Sequence, residues 1–219
     1  MDALPEISGP EYPPASGEAK QLVVFLHGWG ADGNDLIGLA PGWAAGLPGA
    51  RFVSPHAPYE CDENPAGRQW FGFRDRDPAT VERGAADAAK IINAFLDEAL
   101  AASGLDDRRL ALVGFSQGAM LALYVALRRP AACAAVVSYS GMLIGGDSLA
   151  AELKSRPPVL LVHGDADPLV PFESLAQAVG ALGALGVAVR WHAARGGGHG
   201  IDPEGLALGG DFLRDAFGG

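Results

Sequence analysis

A serine, a carboxylate and an imidazole, the three groups that together can cleave an acyl bond, occur in this chain where each could be held at the end of a strand. Ser116 lies at the centre of Gly114-Phe115-Ser116-Gln117-Gly118, after the apolar stretch Leu110–Val113 and before a second that opens at Ala119. This Gly-x-Ser-x-Gly run reads as a nucleophile elbow. In such a strand-to-helix turn the serine backbone is strained and the hydroxyl is lifted clear of the sheet, and a side chain at Gly114 or Gly118 would strike the neighbouring strand and helix. The helix beginning at Gln117 turns free N–H groups and its positive end toward the place where an oxyanion would form. Five residues also recur by chance in tight turns that bury a serine, so the reading requires an acid and a histidine to follow in order.

Ligands of open α/β sheets bind beyond the carboxyl ends of strands, and the loops after two later strands supply both groups. The run Pro158–His163 leads into Gly164-Asp165-Ala166-Asp167-Pro168-Leu169, and Val187–His192 leads into a loop that ends Gly198-His199-Gly200. Serine, then acid, then histidine is the chain order of α/β hydrolases. Asp167 is the expected acid, because Asp165 directly follows Gly164 and reads as a turn residue that satisfies its own backbone. His199 is the expected base, since His192 falls inside the last strand while His199 sits between two glycines on a loop. His27 and His163 end strands and read as buried hydrogen-bonding residues that shape the site; His56 reads as loop structure.

The elements that would position these groups follow from periodicity. Residues 1–20 form an irregular lead-in with room for one edge strand. An unbroken apolar run at 21–27 and further mainly apolar stretches of strand length at 50–54, 109–113, 134–139, 158–163 and 187–193 fit a sheet covered on both faces. Helices are expected from Asn34 or Asp35 to about 46, broken by Pro41, and over 80–102, 117–129, 148–154, 172–185 and 203–217. Residues 55–78 read as a long loop carrying Trp70, Phe71 and Phe73. This alternation predicts a mainly parallel sheet with helices on both faces, in a single domain spanning 1–219 with no large lid.

The segments Leu26-His-Gly-Trp-Gly-Ala-Asp-Gly-Asn-Asp-Leu36, Gly114-Phe-Ser-Gln-Gly118, His163-Gly-Asp-Ala-Asp-Pro-Leu-Val-Pro171 and Gly198-His-Gly200 resemble the phospholipase/carboxylesterase family of α/β hydrolases, which includes acyl-protein thioesterases. The resemblance spans about residues 20–217. It implies an α/β-hydrolase fold, with nucleophile, acid and base at Ser116, Asp167 and His199 and oxyanion donors at the backbone N–H groups of Trp29 and Gln117. Many members carry Leu where Trp29 stands, which leaves a backbone donor in place and alters the pocket beside it. The Trp70–Phe71 region resembles the loop bordering the family's acyl site. With Trp29, Met142, Leu143, Ile144 and Leu169, these aromatics are expected to line an acyl groove suited to short and medium esters, with thioesters and lysophospholipids as alternatives.

Composition narrows the remaining classes. The 219 residues are 49% hydrophobic with a formal net charge of −10, which supplies no positive field for nucleic acid or an anionic membrane. Cys61 and Cys133 lack metal-like spacing, and no basic segment followed by an apolar run opens the chain. The expectation is a cytoplasmic monomer or homodimer with no cofactor and no metal. Gly28-Trp-Gly-Ala-Asp-Gly33 matches a dinucleotide-binding pattern, but the following strand ends in Ser54-Pro55 rather than an acid, and Asp32 would repel a pyrophosphate. Two further alternatives are a non-catalytic binding protein on a hydrolase fold, for which triad residues would have been replaced, and a dienelactone-hydrolase-like enzyme, whose elbow would carry Cys.

Overall fold

Each central strand is apolar throughout because both of its faces are covered. In the computed structural model, which describes residues 3–218, β2 (Gln21–Leu26) sends Leu22, Val24 and Leu26 into one hydrophobic cluster and Val23 and Phe25 into another. With β1 (Glu11–Tyr12), β3 (Ala50–Val53), β6 (Leu110–Phe115), β7 (Ala135–Tyr139), β8 (Val159–Gly164) and β9 (Val189–Ala194) it forms a seven-stranded sheet in the order β1-β3-β2-β6-β7-β8-β9. Neighbours run parallel except β1, which pairs antiparallel with β3 as the edge strand. Helices α3 (Pro78–Ser103), α4 (Gln117–Arg128), α5 (Gly146–Glu152) and α6 (Glu173–Ala184) cover one face, and α1 (Gly33–Ile37), α2 (Ala40–Ala44) and α7 (Pro203–Ala216) the other.

Register brings the chemistry-bearing loops to one end. Leu26 stands beside Gly114, Phe115 beside Tyr139, and His163 beside Ala193. The turns after β2, β6, β7, β8 and β9 therefore open on the same rim. Two bonds anchor α7 there: Trp43 Nε1 donates to the Leu206 carbonyl at 3.1 Å and the Tyr139 hydroxyl to the Gly205 carbonyl at 3.1 Å. They fix the far end of the loop that carries His199.

Three boundaries differ from those expected. The helix expected from Asn34 or Asp35 to about 46 breaks at residues 38–39, ahead of Pro41, which lies in the first turn of α2, and its cap is Asp32, whose carboxylate accepts the Asn34 N–H at 2.8 Å. α3 begins at Pro78 because Asp77 accepts the Thr80 N–H at 2.9 Å. Within 55–78, the short strands β4 (Tyr59–Glu60) and β5 (Arg68–Gln69) pair antiparallel, too briefly to show any alternation.

Every residue of α4 from Gln117 to Leu127 is buried. It lies this close because Gly118 has no side chain: a Cβ there would collide with the backbone carbonyl of Leu26 in β2. Gly180 on α6 has nothing near its missing Cβ. Gly118→Ala should therefore cost about 3 kcal/mol of stability, whereas Gly180→Ala should add about 0.8 kcal/mol through helix propensity. Urea unfolding of the two variants beside the parent checks both signs.

Candidate active site

Ser116 occupies the turn between β6 and α4 with φ 52° and ψ −118°, a left-handed conformation that side chains rarely adopt. Its N–H donates to the Tyr139 carbonyl at 2.9 Å, which ties the strained turn to β7. A Cβ at Gly114 would run into the backbone of Gly118, so the strand can turn into the helix only without one. The hydroxyl faces a cleft of about 160 Å³ whose walls include Gly28, Trp29, Phe73, Phe115, Leu169 and His199.

Asp167 is held from two sides. Its Oδ1 accepts the N–H groups of Leu169 at 2.8 Å and Val170 at 3.0 Å, and its Oδ2 accepts from His199 Nδ1 at 2.7 Å. The carboxylate side chain is fully buried. Burial pushes its pKa up, but the hydrogen bonds from Val170, His199 and Leu169 outweigh burial and hold it below the usual carboxylate value. An ionised Asp167 places the His199 proton on Nδ1 and leaves Nε2 with a free lone pair. The His199 ring lies 4.9 Å from that of Phe115, the residue before Ser116.

The acid and base loops are joined along their backbones. Asp165 N–H donates to the Ala194 carbonyl at 3.1 Å and Ala166 N–H to the Gly197 carbonyl at 2.9 Å. A Cβ on Gly164 would clash with the carbonyls of Gly197 and Gly198, so the glycine run is what lets the loops touch. Asp165 does not serve its own backbone as expected; its Oδ1 accepts the Gly196 N–H at 2.6 Å and bridges to the histidine loop. Ser140, itself at φ 49°, donates its hydroxyl to the Gly200 carbonyl at 3.2 Å. Sequence reasoning passed over Ser140, since an isolated serine after a strand carries no signal of its own.

The backbone N–H groups of Trp29 and Gln117 have no acceptor among the described residues. Gly28 lies close enough to Ser116 that its missing Cβ would touch the serine Cβ at 3.5 Å, and Trp29 borders the same cleft. The Gln117 carboxamide is occupied elsewhere. It accepts the Trp70 N–H at 3.0 Å and donates to the Phe71 carbonyl at 2.8 Å, binding that segment to the elbow.

Of the expected substrate-lining residues, Trp29 and Leu169, the latter 55% exposed, border this cleft. Trp70 and Phe71 are core residues instead. Trp70 is 1% exposed because its indole N–H finds an internal acceptor, the His27 carbonyl at 2.9 Å, and its ring lies 5.0 Å from that of His27. Phe71 packs beneath Gly84 of α3. Met142, Leu143 and Ile144 line a separate groove that meets the Ser116 cleft at Arg76, which borders both. Phe73 takes the place on the cleft wall expected of its two neighbours.

Three of the four remaining histidines are held by structural hydrogen bonds. His27 Nδ1–H donates to the Gly28 carbonyl at 2.8 Å and Nε2 accepts the Ala57 N–H at 3.0 Å, so both nitrogens are used by the neutral ring. His163 Nε2 donates to the Val170 carbonyl at 3.0 Å behind Asp167, and His56 Nδ1 accepts the Gly33 N–H at 3.1 Å. Among the described residues one group has metal-ligand spacing: the donor atoms of His192, Asp202 and Glu204 lie within 4.8 Å of one another, and none of the three borders the Ser116 cleft. It sits at the N-terminus of α7, where the helix dipole opposes a cation. No described helix is long and apolar enough to cross a membrane.

A family model described as phospholipase/carboxylesterase matches residues 10–216. The chain belongs to that family. It has the α/β-hydrolase fold, and its relatives are carboxylesterase- and thioesterase-type hydrolases. The crystal structure of esterase PE8 superposes with a TM-score of 0.93 at 44% identity, covering 96% of this chain and 99% of that one. Esterase YpfH of Escherichia coli K12 is 30% identical over 200 residues, 90% of this chain and 83% of the relative. Acyl-protein thioesterase 1 of Gibberella zeae is 27% identical over 222 residues, 92% of each chain.

Burial lowers the His27 pKa from 6.5 to about 4 against smaller opposing contributions. The unfolded chain thus binds a proton between about pH 6.5 and 4 that the folded chain refuses, so stability is full above that window and falls as pH drops through it, by about 3 kcal/mol in total. Denaturant midpoints measured at intervals from pH 7 to pH 4 should decline, and His27→Asn, though less stable at neutral pH, should show a shallower decline.

Proposed function

We propose that this hydrolase cleaves carboxylic esters of short to medium acyl chains, with Ser116 as nucleophile, His199 as general base and acid, and Asp167 as the group that orients the imidazole. The observation that carries the reading is the strained Ser116 elbow facing the same cleft as an imidazole whose Nδ1–H is held by a buried, ionised carboxylate. His199 Nε2 takes the proton as Ser116 Oγ attacks the carbonyl carbon, and the Trp29 and Gln117 N–H groups receive the oxyanion. The imidazolium returns the proton to the leaving oxygen or sulfur as the acyl-enzyme forms. Water then repeats the sequence and releases the acid. The small cleft and its walls Trp29, Phe73 and Leu169 favour short chains over bulk lipid. Thioesters are the second chemistry open to this site, in line with the thioesterase relative.

Turnover of p-nitrophenyl and thioester substrates from acetyl to palmitoyl should peak at short to medium chains. Ser116→Ala and His199→Ala should each lose roughly 10⁴- to 10⁶-fold and Asp167→Ala roughly 10⁴-fold, with folding retained. Asp165→Ala should lose far less, within about tenfold, because it removes one loop-to-loop bond and no reacting group. Equal losses at Asp165 and Asp167 would overturn the assignment of the acid. A silent wild type that is also unlabelled at Ser116 by a fluorophosphonate would overturn the hydrolase reading itself.

A further inference from the structure

Trp29 borders the cleft beside Phe73, against which its indole packs, and its backbone N–H has no acceptor among the described residues. The indole is held by a bond that no motif announces. Its Nε1–H donates to Gln69 Oε1 at 2.6 Å, and the same oxygen accepts the Asp62 N–H at 3.3 Å. Gln69 is 5% exposed, so its carboxamide cannot swing away without leaving those donors unpaired. On its other side the indole meets Phe73 edge-on, with ring centroids 6.3 Å apart and planes at 62°, and Phe73 in turn meets Phe71 at 6.1 Å.

The backbone beneath is equally fixed. Gly30 N–H donates to the Arg68 carbonyl at 2.9 Å and Arg68 N–H to the Ala31 carbonyl at 2.7 Å, while Asn64 Nδ2 donates to the Gly30 carbonyl at 2.9 Å. Gly67 lies so close under the Gly30 carbonyl that a Cβ would overlap it. The turn after β2 and the β4–β5 hairpin therefore act as one rigid piece, with Gln69 as the member that reaches the indole.

We propose that Gln69 is a specificity-determining residue that limits the enzyme to short acyl chains by fixing the Trp29 indole as a wall of the cleft; this rests on the hydrolase reading above. Without the Gln69 acceptor, a half-buried indole N–H has no partner inside and turns outward to water. That movement opens the cleft on its Phe73 side, where Arg76 is shared with the Met142–Leu143 groove. Longer acyl chains then continue into that groove. Gln69 touches no reacting atom, so the chemical step keeps its rate while the choice of chain length changes.

The test compares kcat and KM for p-nitrophenyl acetate, butyrate and octanoate in wild type, Gln69→Leu, Gln69→Glu and Trp29→Phe, with thermal unfolding and fluorophosphonate labelling recorded for each. Gln69→Leu removes the acceptor, Gln69→Glu keeps one, and Trp29→Phe removes the donor from the opposite side. The expected result for Gln69→Leu is a rise of about tenfold in the octanoate-to-butyrate ratio of kcat/KM, the size of effect a fitted apolar pocket gives. The rise comes through KM, with kcat for acetate little changed. Trp29→Phe gives a shift in the same direction, the double variant adds nothing further, and Gln69→Glu stays near the wild-type ratio. If Gln69→Leu fails to fold, Trp29→Phe carries the same test. An unchanged ratio in an active, labelled variant overturns the proposal, as does a parallel loss on all three esters. A wild type that neither turns over nor labels would instead mean failure of the hydrolase reading, and the proposal would fall with it.

Discussion

Ser116 keeps its left-handed backbone only because the chain two residues to either side, at Gly114 and Gly118, has no side chain to place. Gly114 lets the strand end against the helix, and Gly118 lets α4 descend onto the carbonyls of β2. From this close approach comes the burial of α4 from Gln117 to Leu127, in the larger hydrophobic cluster between the sheet and α3. The strain of order 1–3 kcal/mol that such a conformation stores is offset by that packing. The elbow and the core are one structure, and neither can be altered separately.

The acid follows a different logic. Taking a carboxylate out of water costs several kcal/mol, and each charge-assisted hydrogen bond returns about 1.5–3 kcal/mol. Two backbone donors from the tight turn at Pro168 and one imidazole N–H are together enough to keep Asp167 ionised. His27 shows the same rule with the opposite sign: both ring nitrogens are satisfied as the neutral species, so burial excludes its proton.

Strand positions were legible in the sequence because parallel strands covered on both faces leave unbroken apolar runs. Ser116 and Asp167 stood out because each lies in a loop that directly follows such a run, and His199 because it sits between two glycines after the last strand. The aromatic loop was misread. Trp70 and Phe71 look like exposed site residues in a polar segment, and nothing local reveals that the His27 carbonyl will take up the indole N–H. The hairpin strands are two residues each, too short for any periodicity. Gln69 acquires its meaning only from a partner 40 positions away, and Asp165 from one 31 positions away. Polar side chains with such partners have no signature in a single sequence, whereas glycines at close approaches do.

The joining of the acid and base loops bears on how the chain is made. Synthesis delivers the elbow well before β9 and α7, and His199 sits in the last loop of all. Asp167 cannot be desolvated until that imidazole and the glycine run beside it arrive, because its burial depends on them. A nascent chain that already contains Ser116 therefore lacks the loop that carries His199. On the proposed mechanism its reactivity would appear only when β9 and α7 dock, so a half-made chain would not be acylated early.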